Sequence, residues 1–158
     1  MTLTTFGLRL LAAIIAGGFI GMERQRSKKS AGIRTNTLVA IGACMYVLIS
    51  VSLSGHNGTD PSRIIGQIVT GIGFLGAGVI IHHKGSVQGL TTAATVWCSA
   101  ALGSLAGLGL FWETLICTVA IWFVNTAFKT DWFLLRHERE EDEEEEKETP
   151  SAEDGFLE

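Results

Sequence analysis

Apolar residues run along this chain in five stretches, each broken by a short polar interval. The first spans about Phe6 to Met22, and a basic interval, Glu23–Arg34, follows it. The second spans about Asn36 to Leu53 and ends at the polar turn Ser54–Pro61. The third spans about Ile64 to Ile81, closed by His82–Ser86. The fourth and fifth span about Leu90 to Gly107 and Leu110 to Phe128. Each approaches the ~20 residues that carry a helix across a ~30 Å hydrocarbon layer. Lipid cannot satisfy an open strand edge, so such spans must be helical. Five stretches this close together leave no polar faces to wrap a soluble bundle. The pattern predicts an all-α integral membrane bundle of five transmembrane helices over residues 1–133. The last segment, 134–158, reads as an acidic, disordered cytoplasmic tail.

The charge distribution sharpens this picture. Only Glu23, Asp60 and Glu113 are acidic before residue 129, against eight Lys and Arg, so that part carries +5. The remaining 30 residues hold thirteen acidic groups against four basic ones, −9. So few ionisable groups cannot serve a water-facing surface over the first 128 positions. Neither part suits nucleic acid: the basic groups sit at span edges, and the tail would repel phosphate. Arg24, Arg26, Lys28, Lys29 and Arg34 crowd one loop. The positive-inside rule therefore places that loop and the tail in the cytoplasm and the N-terminus outside. Trp122, Phe123, Phe128, Trp132 and Phe133 fit an aromatic belt at the cytoplasmic interface. The first stretch is expected to stay in place as a span, because Arg9 interrupts it and no A-x-A site ends it.

Gly71 to Gly76 matches the dinucleotide pattern G-x-G-x-x-G literally. It lies inside an apolar span with no strand before it and no acidic residue about twenty positions on, so the nucleotide reading fails. The membrane reading is better. Gly71, Gly73, Gly76 and Gly78 give a wide small-residue surface that lets helix backbones approach closely. Ala13, Gly17 and Gly21 repeat the device in the first span, and Ser99, Gly103 and Gly107 in the fourth.

Polar residues within or beside the spans are the candidate functional set, because intramembrane ionisable groups are costly and usually paired. They are Arg9, Glu23, Arg34, Asn36, Asp60, Arg63, Gln67, Thr91 and Thr92. Several have structural explanations. Asp60-Pro61 suits a helix start, with Asp as N-cap and Pro at the first helical position. Arg9 can snorkel to the surface. Thr91, Thr92 and Thr95 can back-bond to their own helix or reach a neighbour. Cys44, Cys98 and Cys117 read as small buried hydrophobes, and their spacing fits no metal site or disulfide framework. His82 and His83 have no third ligand in view and read as loop residues. No metal or cofactor is expected, and no catalytic arrangement is credible.

Five segments carry a resemblance to the MgtC/SapB membrane proteins: Gly21–Gln25, Ala31–Thr35, Asp60–Arg63, Gln67–Gly78 and Gly89–Trp97. They occur in family order within residues ~5–128. The resemblance implies a multi-span domain of the bacterial inner membrane, associated with growth at low magnesium and, in some members, with survival inside host cells. It also implies a modulator, including of the rotary ATP synthase, rather than an enzyme or a proven magnesium transporter. Many members carry a folded cytoplasmic domain after the last span; here the acidic tail stands in that place.

The expected function is thus a non-enzymatic inner-membrane protein that modulates a partner complex or magnesium homeostasis. The alternative is a small ion channel or transporter. A transporter needs polar groups continuous through the midplane, whereas most charges here lie near the two faces. Five short helices enclose little space alone, so a homo-oligomer is expected in either case.

Overall fold

A computed structural model describes residues 1–57, 60–83 and 86–128. The proposed tail, Trp132 and Phe133 lie outside the described residues. The element order is α1 (Leu3–Arg26), α2 (Ile33–Asn57), α3 (Pro61–Gly78), β1 (Ile81–His83), β2 (Ser86–Gln88), α4 (Leu90–Leu108) and α5 (Phe111–Ala127). The chain divides into two units, Met1–Trp122 and Phe123–Glu158. Of the second, the described part is the end of α5. Helices α1, α2 and α4 are each long and apolar enough to cross a membrane; α5 is a shorter apolar helix. The protein is an all-α membrane bundle of five helices, as the hydropathy pattern predicts.

The bundle is inverted relative to a soluble protein. Its buried core is built from alanines and short polar residues around a few larger groups such as Ile20, Leu48 and Leu102. Its exposed surface carries Leu3, Leu38, Phe74, Trp112, Ile116 and Phe123. Lipid is as apolar as leucine, so large side chains gain little by turning inward. Small ones let backbones touch.

The close contacts are on α1, α2 and α4. A Cβ on Gly17 would lie 2.8 Å from the Ala40 Cβ and from the Asn36 carbonyl. One on Gly21 would run into the Ile33 backbone. On the other side of α2, a Cβ on Gly103 would overlap the Ala40 carbonyl, and one on Gly107 would meet Val47 and the Cys44 carbonyl. The pairings 36/99, 40/103 and 47/107 rise together, so α2 and α4 run parallel. Those of α1 with α2 run oppositely. This order matches alternate crossings by consecutive helices.

Local sequence explains the element ends. Asp60 caps α3, its carboxylate accepting from the Ser62 N–H at 2.9 Å and the Ser62 hydroxyl at 2.7 Å, with Pro61 at the first helical position. Gly109, at φ +83°, closes α4: its N–H reaches the Ala106 carbonyl and that of Leu110 the Leu105 carbonyl, the Schellman pattern.

Three expectations need correction. The His82–Ser86 interval is not a simple loop. His82, His83 and Ser86 belong to two short antiparallel strands that pair Ile81 with Gln88, His82 with Val87 and His83 with Ser86. That pairing brings Gly89 (φ +90°) against the Val79 carbonyl, where no Cβ fits. Second, among the described residues the α3 glycines make no close packing contact. A Cβ on Gly66, Gly71, Gly73 or Gly78 would meet nothing within 4 Å, and one on Gly76 only Ala93 at 3.8 Å. The tight seams sit instead on Gly17, Gly21, Gly103 and Gly107. Third, Cys44 is buried, but Cys98 and Cys117 are only half-buried; all three are free thiols.

Candidate functional site

The first turn of α4, the last turn of α1 and the first turns of α2 meet in a buried polar seam. Arg24 lies on the α1 face that also carries Ala13, Gly17, Ile20 and Gly21. Helical spacing therefore turns it inward, although its neighbours in sequence form the basic interval. It is 2% exposed. Its Nη2 donates to the Thr92 hydroxyl at 3.1 Å. Its Nε is buried with no hydrogen-bond partner. A buried guanidinium with one hydrogen bond, to a neutral hydroxyl, and the Glu23 carboxylate acting on it only through its charge, is an expensive arrangement.

Asn36, fully buried, is the second anchor. Its amide Nδ2 donates to the carbonyls of Ala31 and Gly32, both at 2.9 Å, and so fixes the α1–α2 connection. Its Oδ1 accepts from the Ser99 hydroxyl at 2.8 Å. The same Ser99 oxygen approaches the Thr95 carbonyl at 3.0 Å, and Thr95 donates to the Thr91 carbonyl at 2.8 Å. Thr92, Thr95 and Ser99 thus form one hydroxyl-lined face of α4, all 3% exposed or less. Below this face the seam closes: Gly103 and Gly107 press α4 against the α2 backbone.

The other candidates fall elsewhere. At the far end of α4, Arg9 Nη1 donates to the Gly107 carbonyl at 2.9 Å, placing a cation where the helix dipole is negative. That clamps α1 to the end of α4, a structural use rather than snorkelling. Glu23 accepts from Ser27 at 2.6 Å through Oε1, while its Oε2 is buried without a hydrogen-bond partner. Arg34, Asp60, Arg63, Gln67 and Thr91 are exposed. Asp60 is engaged by Ser62, whose two hydrogen bonds hold its carboxyl below the usual carboxylate range; Arg63 is the weakest of the influences on it.

The structure therefore joins Asn36 and Thr92 to the seam and leaves five of the nine candidates on the surface. Arg24, Thr95 and Ser99 are the seam residues absent from the sequence-derived set. The available signal for Arg24 was its register with Gly17 and Gly21. For Ser99 it was the shared face with Thr92 and Thr95. His82 is exposed, and among the described residues no three His, Cys, Asp or Glu gather closely enough to hold a metal ion.

The chain matches the MgtC family profile over residues 10–131. It is 50% identical to Protein MgtC of Salmonella typhimurium over 125 residues, 79% of this chain and 53% of that protein. It is likewise 50% identical to Protein MgtC of Brucella abortus over 120 residues, 76% of this chain and half of that protein. An uncharacterized protein of Synechocystis is 47% identical over 131 residues, 83% of this chain and 55% of its own length. The chain spans about half the length of the curated relatives it matches. No solved structure matches it. With half of the aligned residues identical to those of two MgtC proteins and the profile match covering most of its length, this chain belongs to the MgtC family.

Proposed function

We propose that this chain is a non-enzymatic protein of the bacterial inner membrane that modulates a partner membrane complex or magnesium homeostasis during growth at low magnesium. The family match over residues 10–131 carries this reading, since that span contains Arg24, Asn36, Thr92 and Ser99. The seam supports it. Apart from the Arg24 Nε, its polar groups are engaged in bonds between and within helices, and the glycine contacts below them press α4 against α2. A bundle closed in this way suits a rigid surface that a partner recognises. The rotary ATP synthase is one such partner by family resemblance, and the open face of α3 suits a second copy of this chain. We place the N-terminus outside and the C-terminus in the cytoplasm, from the basic cluster Arg24–Arg34.

The test is growth of a bacterium lacking its own family member at limiting magnesium. The wild-type chain restores growth, whereas Arg24→Met reaches the membrane in equal amount and does not. Failure of the wild type to restore growth overturns the reading. Purification in mild detergent then identifies the co-purifying complex. Magnesium flux through proteoliposomes of the pure protein would favour the channel alternative. Reporter fusions at Ser54 and Glu158 test the orientation: periplasmic activity at Glu158 reverses it.

A further inference from the structure

A groove of about 490 Å³ opens on the outer side of the α1–α2 pair, lined by Ile14, Gly18, Ile33, Arg34, Thr37 and Leu38. Its walls are almost wholly apolar. At its Ile33–Arg34 end a second depression of about 300 Å³ begins, lined also by Gln25, Lys29, Ser30 and Thr35. That one is half polar and bears positive charge. The two share Ile33 and Arg34, so an apolar trough leads directly into a basic cup.

The arrangement follows from sequence. Gly18 removes a side chain from the α1 wall of the trough; a Cβ there would meet only the Thr37 hydroxyl, at 3.6 Å. Neighbouring Gly17 makes the tight α2 contact, so the groove costs no helix packing. The cup is formed by the α1–α2 connection and the first turn of α2. That turn carries no acidic residue, and its positive dipole end adds to the charge of the cup, although its Ile33 N–H is already held by the Gln25 side chain at 3.4 Å. Arg26 and Lys28 lie exposed on the same connection. Ile14 and Leu38 are exposed on a helix pair that crosses the membrane, so the trough faces lipid.

We propose that this trough and cup form a binding site for one anionic glycerophospholipid, with an acyl chain along Ile14, Gly18 and Leu38 and the headgroup phosphate on Arg34. Charge complementarity selects the occupant. A zwitterionic lipid would satisfy the trough equally well but would bring its own cation to the cup. A basic pocket between spans is the form such sites take. A soluble anion would gain nothing from the trough.

The full chain, purified in mild detergent and stripped of lipid, is titrated with phosphatidylglycerol, with phosphatidylcholine of the same chains, and with inorganic phosphate. Native mass spectrometry counts bound lipid. One phosphatidylglycerol is retained at several-fold higher occupancy than phosphatidylcholine. Arg34→Gln lowers that occupancy roughly fivefold, the effect of one interfacial basic residue. Gly18→Leu, which fills the trough and leaves the cup intact, lowers it as well. Leu38→Ala, at an exposed wall of the trough, gives the same direction should Gly18→Leu fail to fold. Equal occupancy by the two lipids overturns the proposal. So does phosphatidylglycerol binding that survives both Arg34→Gln and the trough variants, or that millimolar inorganic phosphate displaces completely.

Discussion

Arg24 and Thr92, 68 positions apart, meet inside the bundle, the guanidinium donating to the hydroxyl at 3.1 Å. The contact ties the end of α1 to the start of α4. It leaves the Arg24 Nε buried and unbonded, so the pair is a poor stabilising device. Removing the hydroxyl leaves a further buried donor unmet, whereas replacing the arginine removes the need altogether. Thr92→Val is therefore expected to cost about 1–3 kcal/mol of stability. Arg24→Met is expected to be neutral or stabilising. Thermal unfolding in detergent checks both, and Thr92→Val in the Arg24→Met background should then cost little. Equal costs in the two backgrounds would show that Thr92 acts independently of Arg24.

Asn36 and Ser99 give a second test. Ser99→Ala removes one interhelical hydrogen bond, worth about 0.6–2 kcal/mol in membrane proteins. Asn36→Leu also removes the side-chain donor to the Ala31 and Gly32 carbonyls, leaving Gly32 only the backbone N–H of residue 36. It should cost more than Ser99→Ala. It should also raise hydrogen exchange between residues 27 and 33, which Ser99→Ala should not do.

The glycines separate into two classes. Gly103→Ala drives a methyl into the Ala40 carbonyl, and the helices must part to admit it. Little folded protein is expected in the membrane. Gly73→Ala meets nothing within 4 Å. It should gain roughly 0.5–1 kcal/mol from helix propensity. A marked loss of stability in Gly73→Ala would instead reveal a second molecule packed on α3, and cross-linking at that face would identify it.

Asp60 sets a pH dependence. Its hydrogen bonds with Ser62 depress its folded-state pKa. A depressed carboxylate stabilises above its unfolded pKa, and the stabilisation fades as pH falls through the folded value. The start of α3 should therefore fray on acidification below the ordinary carboxylate pKa of about 3.9. Amide exchange at Ser62 and Arg63 measures this. Asp60→Asn keeps a capping oxygen and should flatten the pH profile, while Asp60→Ala should fray α3 at every pH. In contrast, Arg63→Ala should change little, because Ser62 rather than Arg63 engages the carboxylate.

Membrane class, the five helices and the α3 cap are all legible in the order of residues alone. Each depends on residues near one another in the chain: a run of apolar side chains, or Asp followed by Pro. That order also held the small-residue spacing on α1 and α4, through Gly17, Gly21, Gly103 and Gly107. Which glycine-lined helix would be packed was not local information. Helix α3 has the densest glycine pattern, yet among the described residues that surface stays open, because α3 packs against α2 and α4 through Ile68 and Ile72 instead. Non-local packing hid the polar seam as well. Arg24 sits among Glu23, Gln25 and Arg26, and composition assigns all four to a basic loop. Only the α1–α2 contact at Gly17 and Gly21 fixes the rotation of α1 and sends Arg24 inward while Arg26 stays outside. Ser99 became a partner of Asn36 only when the parallel packing of α2 and α4 set their relative height. Pairings across 63 or 68 residues depend on helix rotation and register, and those are decided by the packed bundle.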